Sequence, residues 1–351
     1  MKPRISKFWT TLLGFLFTIP FILTVMGSLA PYLPVSIFPM VQLIPPVLLG
    51  LGFVHIVFFI LFVRRSFKWT LFAAVAIGLT VWVGSKEIRF SSPEATSSSA
   101  QIKVVSYNVA GFSFESDKVH KVSKILKEID ADVITLQEFR YHQLSQAHYA
   151  LDQIAEAVDM PYYRFDHRPE NLHGAATFSK YPILRVDTLF MERGEINTGI
   201  LSTIGTPLGK MGVANIHLTS YRIGEKIRED KAWWPKVKSL FWHAQDVVKD
   251  QQHKVNQVLK KTKTYPYPLI IAGDLNSAPH SAIRQQFQNR FQDTFMEVGN
   301  GIGFSYPILG PYGLRIDYQF ASQEWEIRSH EVFKADGSDH YPVVVCYGLM
   351  P

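Results

Sequence analysis

The sequence predicts a layered α/β sandwich preceded by three membrane-spanning helices. Three observations lead there. The first 90 residues hold three long apolar runs. A short polar stretch, Ser91–Ala100, follows them. Beyond it, strand-length and helix-length apolar segments alternate in mixed order with few βαβ-length crossovers, which favours a layered sandwich over a barrel.

Phe8–Ala30 carries no charge, and Met40–Val63 is apolar apart from Gln42 and His55. Trp69–Val83 is also uncharged, though short for a span of about 20 residues unless its flanks snorkel. Lys2, Arg4 and Lys7 would also suit the head of a cleaved signal peptide. Two further runs directly behind the first favour a three-helix anchor instead. The basic residues at the N-terminus, and Arg64, Arg65 and Lys68 in the second loop, mark the cytoplasmic side. The uncharged Pro31–Pro39 loop marks the other side, and three crossings leave the remaining chain outside the cytoplasm, periplasmic or surface-facing in a bacterium. His55 is expected to pack or hydrogen-bond within the bundle, with a functional role as the alternative. The expected organisation is an anchor over 1–90, a flexible linker over 91–101 and a second domain over 102–351.

Charge follows the same division. The first 100 residues carry eight Lys/Arg against Glu87 and Glu94, which accounts for the whole net charge of +6. The rest is balanced, so the pI of 9.1 reports the anchor and not a nucleic-acid-binding surface. Cys346 is the only cysteine, which excludes an intramolecular disulfide and fits a buried strand thiol.

Within 102–351, Ile102–Val109, Asp132–Gln137, Ala175–Phe178, Ile200–Ile204, Met211–His217, Pro268–Ala272, Ile316–Ser322 and Tyr341–Tyr347 read as strands. Asp117–Ile129, Ser145–Val158, Ala232–Lys261 and Ser281–Arg290 read as helices. Acids, amides and histidines collect at the strand ends. They are Asn108; Gln137-Glu138; His173 before Gly174–Pro182; Asn215-Ile216-His217-Leu218; Gly273-Asp274-Leu275-Asn276; Arg315-Ile316-Asp317-Tyr318; and Ser338-Asp339-His340. Singly, each has a plain explanation: a turn residue, a solvated acid, a half-buried strand histidine, an Asx-turn. Together, oxygen ligands and imidazoles at strand ends are what a hard divalent metal and a phosphate ester require.

In this order the pieces resemble the endonuclease/exonuclease/phosphatase superfamily, over about Ile102–Tyr347. The resemblance implies a four-layer α/β sandwich, two mixed sheets flanked by helices, and a Mg²⁺ or Mn²⁺ cofactor. By that resemblance Glu138 is the principal metal ligand, with Asn108 and Asp339 beside it. Asp274, helped by Asn276, aligns and activates water. His340, oriented by Asp317, and His217 stabilise charge on phosphorus. Asn215 and His173 are expected to touch substrate. Ala110 stands where some members have an acid, which removes one possible ligand.

Asp274 stands 57 positions after His217, a long connection that includes Trp233, Trp234, Phe241 and Trp242 among Lys231, Lys236 and Lys238. That mixture suits a membrane interface, an acidic headgroup or base stacking, or a helix with its aromatics in the core. Three functions follow. The first is a membrane-anchored phosphodiesterase acting on a lipid headgroup or other surface phosphodiester. The second is an extracytoplasmic nuclease on DNA or RNA, and the third a non-catalytic binding module. The bilayer and the phosphoester are the expected partners, with no obligate protein partner.

Overall fold

The computed structural model describes residues 7–91, 100–112, 116–141, 144–167, 173–191, 197–222, 233–309 and 312–350. Helices α1 (Lys7–Leu29), α2 (Leu48–Phe62) and α3 (Phe67–Glu87) pack together. Thr11–Tyr32, Pro39–Phe62 and Phe67–Glu87 are long and apolar enough to cross a membrane. The third reaches past the uncharged run to Lys86 and Glu87, which supplies the missing length. Phe17, fully buried, holds the bundle through edge contacts with Phe58, Phe62 and Trp69. His55 packs and hydrogen-bonds: its Nε2 lies 2.7 Å from Thr24 Oγ1 and its ring meets Phe17 edge-on.

The rest of the chain forms sixteen strands among the described residues. They are β1 (Arg89–Phe90), β2 (Ile102–Asn108), β3 (Val133–Arg140), β4 (Tyr162–His167), β5 (His173–Ser179), β6 (Ile183–Met191), β7 (Thr198–Thr206) and β8 (Gly209–His217). Then follow β9 (Leu269–Asp274), β10 (Gln292–Asp293), β11 (Asn300–Gly301), β12 (Tyr306–Leu309), β13 (Tyr312–Leu314), β14 (Asp317–Ala321), β15 (Trp325–Val332) and β16 (Val343–Leu349). Two six-stranded sheets result, ordered β15-β16-β2-β3-β5-β4 and β10-β14-β9-β8-β7-β6. Each has one parallel pair at its middle, β2–β3 and β8–β9, among antiparallel neighbours.

The alternation of strand side chains explains the layers. Val104, Val133, Val213, Ile270, Val343 and Val345 point between the sheets and form one core. Their neighbours Val105 and Ile134 point outward and are covered by α4 (Ser116–Ile129) and α5 (Leu144–Ala157), which present Val122, Leu126, Leu151 and Ile154. On the other side Ala214 and Ile271 meet Val255 and Val258 of α6 (Trp233–Lys261) and Ile283 and Phe287 of α7 (Ala282–Gln288). Three apolar seams between four layers are the expected sandwich. Cys346 is half-buried, less enclosed than its apolar strand implies.

The sandwich is seated on the three N-terminal helices. Gln42, one of the two polar exceptions in the second apolar run, is buried and bridges the two parts. Its Nε2 donates to Ala30 O (2.8 Å) and its Oε1 accepts from Ala282 N (2.8 Å). His280 Nε2 lies 2.9 Å from Ser28 O, and Trp82 meets the His280 ring edge-on. Val35, from the α1–α2 connection, packs with Val248 and Ala282. Arg315 donates to Glu87 O, and β1 pairs with β11, so residues 89–90 join the fold of the second domain. Of the expected linker, residues 92–99 lie outside the described residues.

Candidate active site

Strand register brings the expected residues together. Asp274 ends β9 and pairs with His217 at the end of β8 on one side and Asp317 at the start of β14 on the other. In the facing sheet, Asn108 ends β2 opposite Gln137, and Glu138 sits at an irregularity in β3 with φ +53°. Asn276 has φ +47°. Left-handed backbone at two non-glycine residues redirects their side chains toward one point, a strain that clusters where geometry matters for function. Gly273 carries a different constraint. Its φ is +150°, and a Cβ there would lie 1.8 Å from Ile216 O. Only glycine lets β9 approach β8 this closely. Gly273→Ala is expected to destabilise the domain by roughly 2–3 kcal/mol, measured by urea unfolding.

Two overlapping clusters form: Glu138, His217 and Asp274; and Asp274, Asp317 and His340. Asn108 Nδ2 donates to Glu138 Oε1 (3.1 Å) and Asp274 Oδ2 (3.0 Å). His217 Nε2 is 3.4 Å from Glu138 Oε1 and 3.8 Å from Asp274 Oδ2. His340 Nδ1 is 2.8 Å from Asp317 Oδ2, which leaves its Nε2 3.8 Å from Asp274 Oδ2. Asn276 N donates to Asp274 Oδ1 (2.7 Å), and its Nδ2 to Leu218 O (2.9 Å).

Electrostatics separates the groups. Burial, then the neighbouring Asp317 carboxylate, pushes Asp274 up to about 8. Burial works against charge on His340, but Asp317 overcomes it and lifts the imidazole to about 10. His217 is pushed down by burial. Burial alone would raise Glu138, yet the His217 ring and the Asn108 amide hold it below the usual carboxylate range. The result is one imidazole poised to carry positive charge beside a crowded set of acids.

A model of the Endonuclease/Exonuclease/phosphatase family matches residues 105–340, from within β2 to His340. The chain belongs to this family. Solved structures agree on the fold. An endonuclease/exonuclease/phosphatase from Beutenbergia cavernae is 19% identical, with 71% of this chain and 72% of that one covered at a TM-score of 0.51. One from Bacteroides vulgatus is 13% identical, covering 72% and 100%, with a TM-score of 0.55. The humanized TDP2 of D. rerio is 15% identical, covering 71% and 100%, with a TM-score of 0.54. A comparison with curated protein sequences gave no match.

Members of this family typically use a divalent metal, and the donor set here fits one. Two carboxylates, Glu138 and Asp274, approach the same Asn108 nitrogen, with the His217 ring beside them. Hard oxygens brought this close in a desolvated pocket favour a cation between them. Asp317 Oδ1 is also buried without a hydrogen-bond partner. Glu138, a third exposed, lies with His217 and Asp274 in a cluster positioned to hold such an ion.

The remaining expected residues are placed less directly. Asn108 turns its nitrogen toward the acids, and its oxygen accepts from Ala110 N (2.9 Å), so in this arrangement its amide brackets the two carboxylates. Asp339 is exposed, accepts from Ser338 Oγ (3.2 Å) and belongs to neither cluster. His173 is half-buried at the rim, where burial and then Arg140 push it down to about 4. Asn215 is fully buried: its Nδ2 donates to Leu136 O and Ala176 O, and its Oδ1 accepts from Gln137. This corrects the substrate contact expected for Asn215, because every polar atom of its amide is engaged in tying the sheets together.

Three residues escaped the sequence reading. Gln251 of α6 donates to Thr219 O (2.7 Å), Asn276 O (3.2 Å) and Leu275 O (3.4 Å), bracing the loops after both His217 and Asp274. Lys254, fully buried one turn on, donates to Thr219 Oγ1 (2.7 Å) and Asp250 (2.5 Å). The Tyr306 ring lies 4.8 Å from that of His340. A glutamine and a lysine on an inward helix face were the only available signals.

Proposed function

We propose that the chain is a divalent-metal-dependent phosphodiesterase that acts outside the cytoplasm on a phosphoester carried by a membrane lipid. The family and its fold support phosphoester hydrolysis. One observation supports the lipid: the loops beside the site residues are the loops seated on the anchor. Tyr221, four residues after His217, packs into the Val35 cluster. His280, four after Asn276, meets Ser28. Arg315, two before Asp317, meets Glu87. The site residues therefore lie in sequence next to the contacts with Ser28, Val35 and Glu87, and in this reading those contacts mark the outer ends of the spans. Basic residues flanking the first span and in the second loop support the extracytoplasmic placement.

In this reading Asp274, held by Asn276 N and Asn108 Nδ2, orients the attacking water and takes its proton. The His340 imidazolium, fixed by Asp317, and His217 donate to oxygens on phosphorus as charge develops. A metal held at Glu138 supplies Lewis-acid polarisation of a non-bridging oxygen when bound. The full chain in lipid nanodiscs should hydrolyse phospholipid faster than plasmid DNA. EDTA should abolish that activity, and Mg²⁺ or Mn²⁺ should restore it. Preference for DNA would favour the nuclease reading, which the balanced charge of residues 101–351 argues against. No hydrolysis of any diester under any metal would sink the proposal.

A further inference from the structure

Helix α6 carries a feature that neither the sandwich nor the site uses. Its inward face runs through Ala244, Val247, Val248, Gln251, Val255 and Val258, all buried. Phe241 lies seven residues before Val248 and so on the same face, yet it is 44% exposed. Trp242 beside it is 52% exposed, and the two rings meet edge-on at 5.5 Å. Among the described residues this exposed Phe–Trp pair joins none of the apolar cores of the sandwich.

The anchor defines what lies next to that pair. Val248 packs on Val35, and α6 runs against the Pro39–Leu43 turn. Val35 falls between two spans, Thr11–Tyr32 and Pro39–Phe62. Whatever packs on that connection sits at the level where the spans leave the apolar core. The connection exposes its own apolar groups there: Tyr32 (60%), Ile37 (67%) and Phe38 (40%). Exposed Lys238 and Lys249 flank the pair, with Asp246 between them in sequence. Aromatic rings with basic neighbours are the groups that settle among lipid headgroups.

We propose that the N-terminal half of α6 is an interfacial helix, with Phe241 and Trp242 inserted into the headgroup zone of the outer leaflet beside the anchor. The same helix braces both catalytic loops through Gln251, about 15 Å further along at 1.5 Å per residue. The depth of the aromatic pair thus sets the height of the Asp274–His340 centre above the lipid. That consequence for substrate access rests on the function proposed above; the membrane contact does not.

The test uses the full chain with Cys346→Ser, its only cysteine removed. Phe241→Cys is labelled with an environment-sensitive fluorophore in proteoliposomes of phosphatidylcholine and phosphatidylglycerol. Lys127→Cys, exposed on α4, is the reference. Lipid carrying a headgroup spin label should quench the label at 241 several-fold more than the label at 127. Equal quenching would overturn the proposal. In an unlabelled chain, Phe241→Ser with Trp242→Ser should lower hydrolysis of vesicle-borne phospholipid roughly tenfold and leave a soluble diester unaffected. Unchanged rates on both substrates, or equal loss on both, would also overturn it. If the parent chain cleaves no phosphoester, the functional reading fails, and quenching alone decides the membrane contact.

Discussion

Replacing His340 by alanine is expected to lower phosphoester turnover by about 100–1,000-fold while the domain stays folded. The imidazole is 5% exposed, held by Asp317 at 2.8 Å, and kept charged by that acid. Its loss removes the imidazolium that stands 3.8 Å from Asp274 Oδ2. Asp274→Asn is expected to cost as much. Asparagine keeps the volume, and its oxygen can still accept from Asn276 N, but it cannot take a proton from water. Turnover of a soluble diester, with circular dichroism to confirm folding, checks both. Normal turnover in either purified variant would refute the assignment.

The largest stability effect is expected from Asp293→Asn, at about 3–5 kcal/mol. Arg284 Nε donates to Asp293 Oδ2 at 2.7 Å, and both side chains are almost wholly buried. Asp293 Oδ1 also caps the short helix Thr294–Val298, accepting from Phe295 N and Met296 N. The substitution leaves the Arg284 charge desolvated and unpaired. Burial alone would raise the Asp293 carboxyl, but Arg284 and Arg315 hold it below the usual range. Its stabilisation is therefore present above the unfolded-state value of about 3.9 and is lost as pH falls through the lower folded value. Chemical denaturation should separate parent and variant widely at pH 7 and progressively less in acid. Replacing both partners with apolar residues is expected to recover most of the loss. A small effect at pH 7 would show that the pair is not desolvated.

What the sequence made legible divides by position in the sheets. The central strands β2, β3, β8, β9 and β16 are buried along most of their length and read as strands from their apolar runs. The strands that went unread include all four sheet edges: β4, β6, β10 and β15. Ile183–Met191 and Trp325–Val332 are mostly exposed or half-buried, with no regular apolar alternation and with Arg185, Asp187, Glu326 and Arg328 among them. Charged edges discourage pairing with other chains, and the same charges hide the strand from a hydrophobicity reading. The site divides similarly. Asp274, His340 and Glu138 sit in short motifs whose residue types announce their chemistry. Asn215 sits in such a motif too, but its partners Leu136 and Ala176 are 79 and 39 residues away, and only the packing of the sheets reveals that it is a brace. Gln251 and Lys254 follow the same rule in reverse: a helix face cannot be matched to a loop before the fold is known.

The seat formed by Gln42, Ala282 and His280 changes how reactants would meet. With the spans in a bilayer, a catalytic centre fixed to them cannot diffuse in bulk solution. If the substrate is the membrane lipid proposed above, encounter becomes a search in two dimensions, governed by lateral diffusion and by the mole fraction of target lipid in the leaflet. Diluting target molecules with inert lipid would then slow the reaction at constant total amount, whereas diluting the whole suspension with buffer would not.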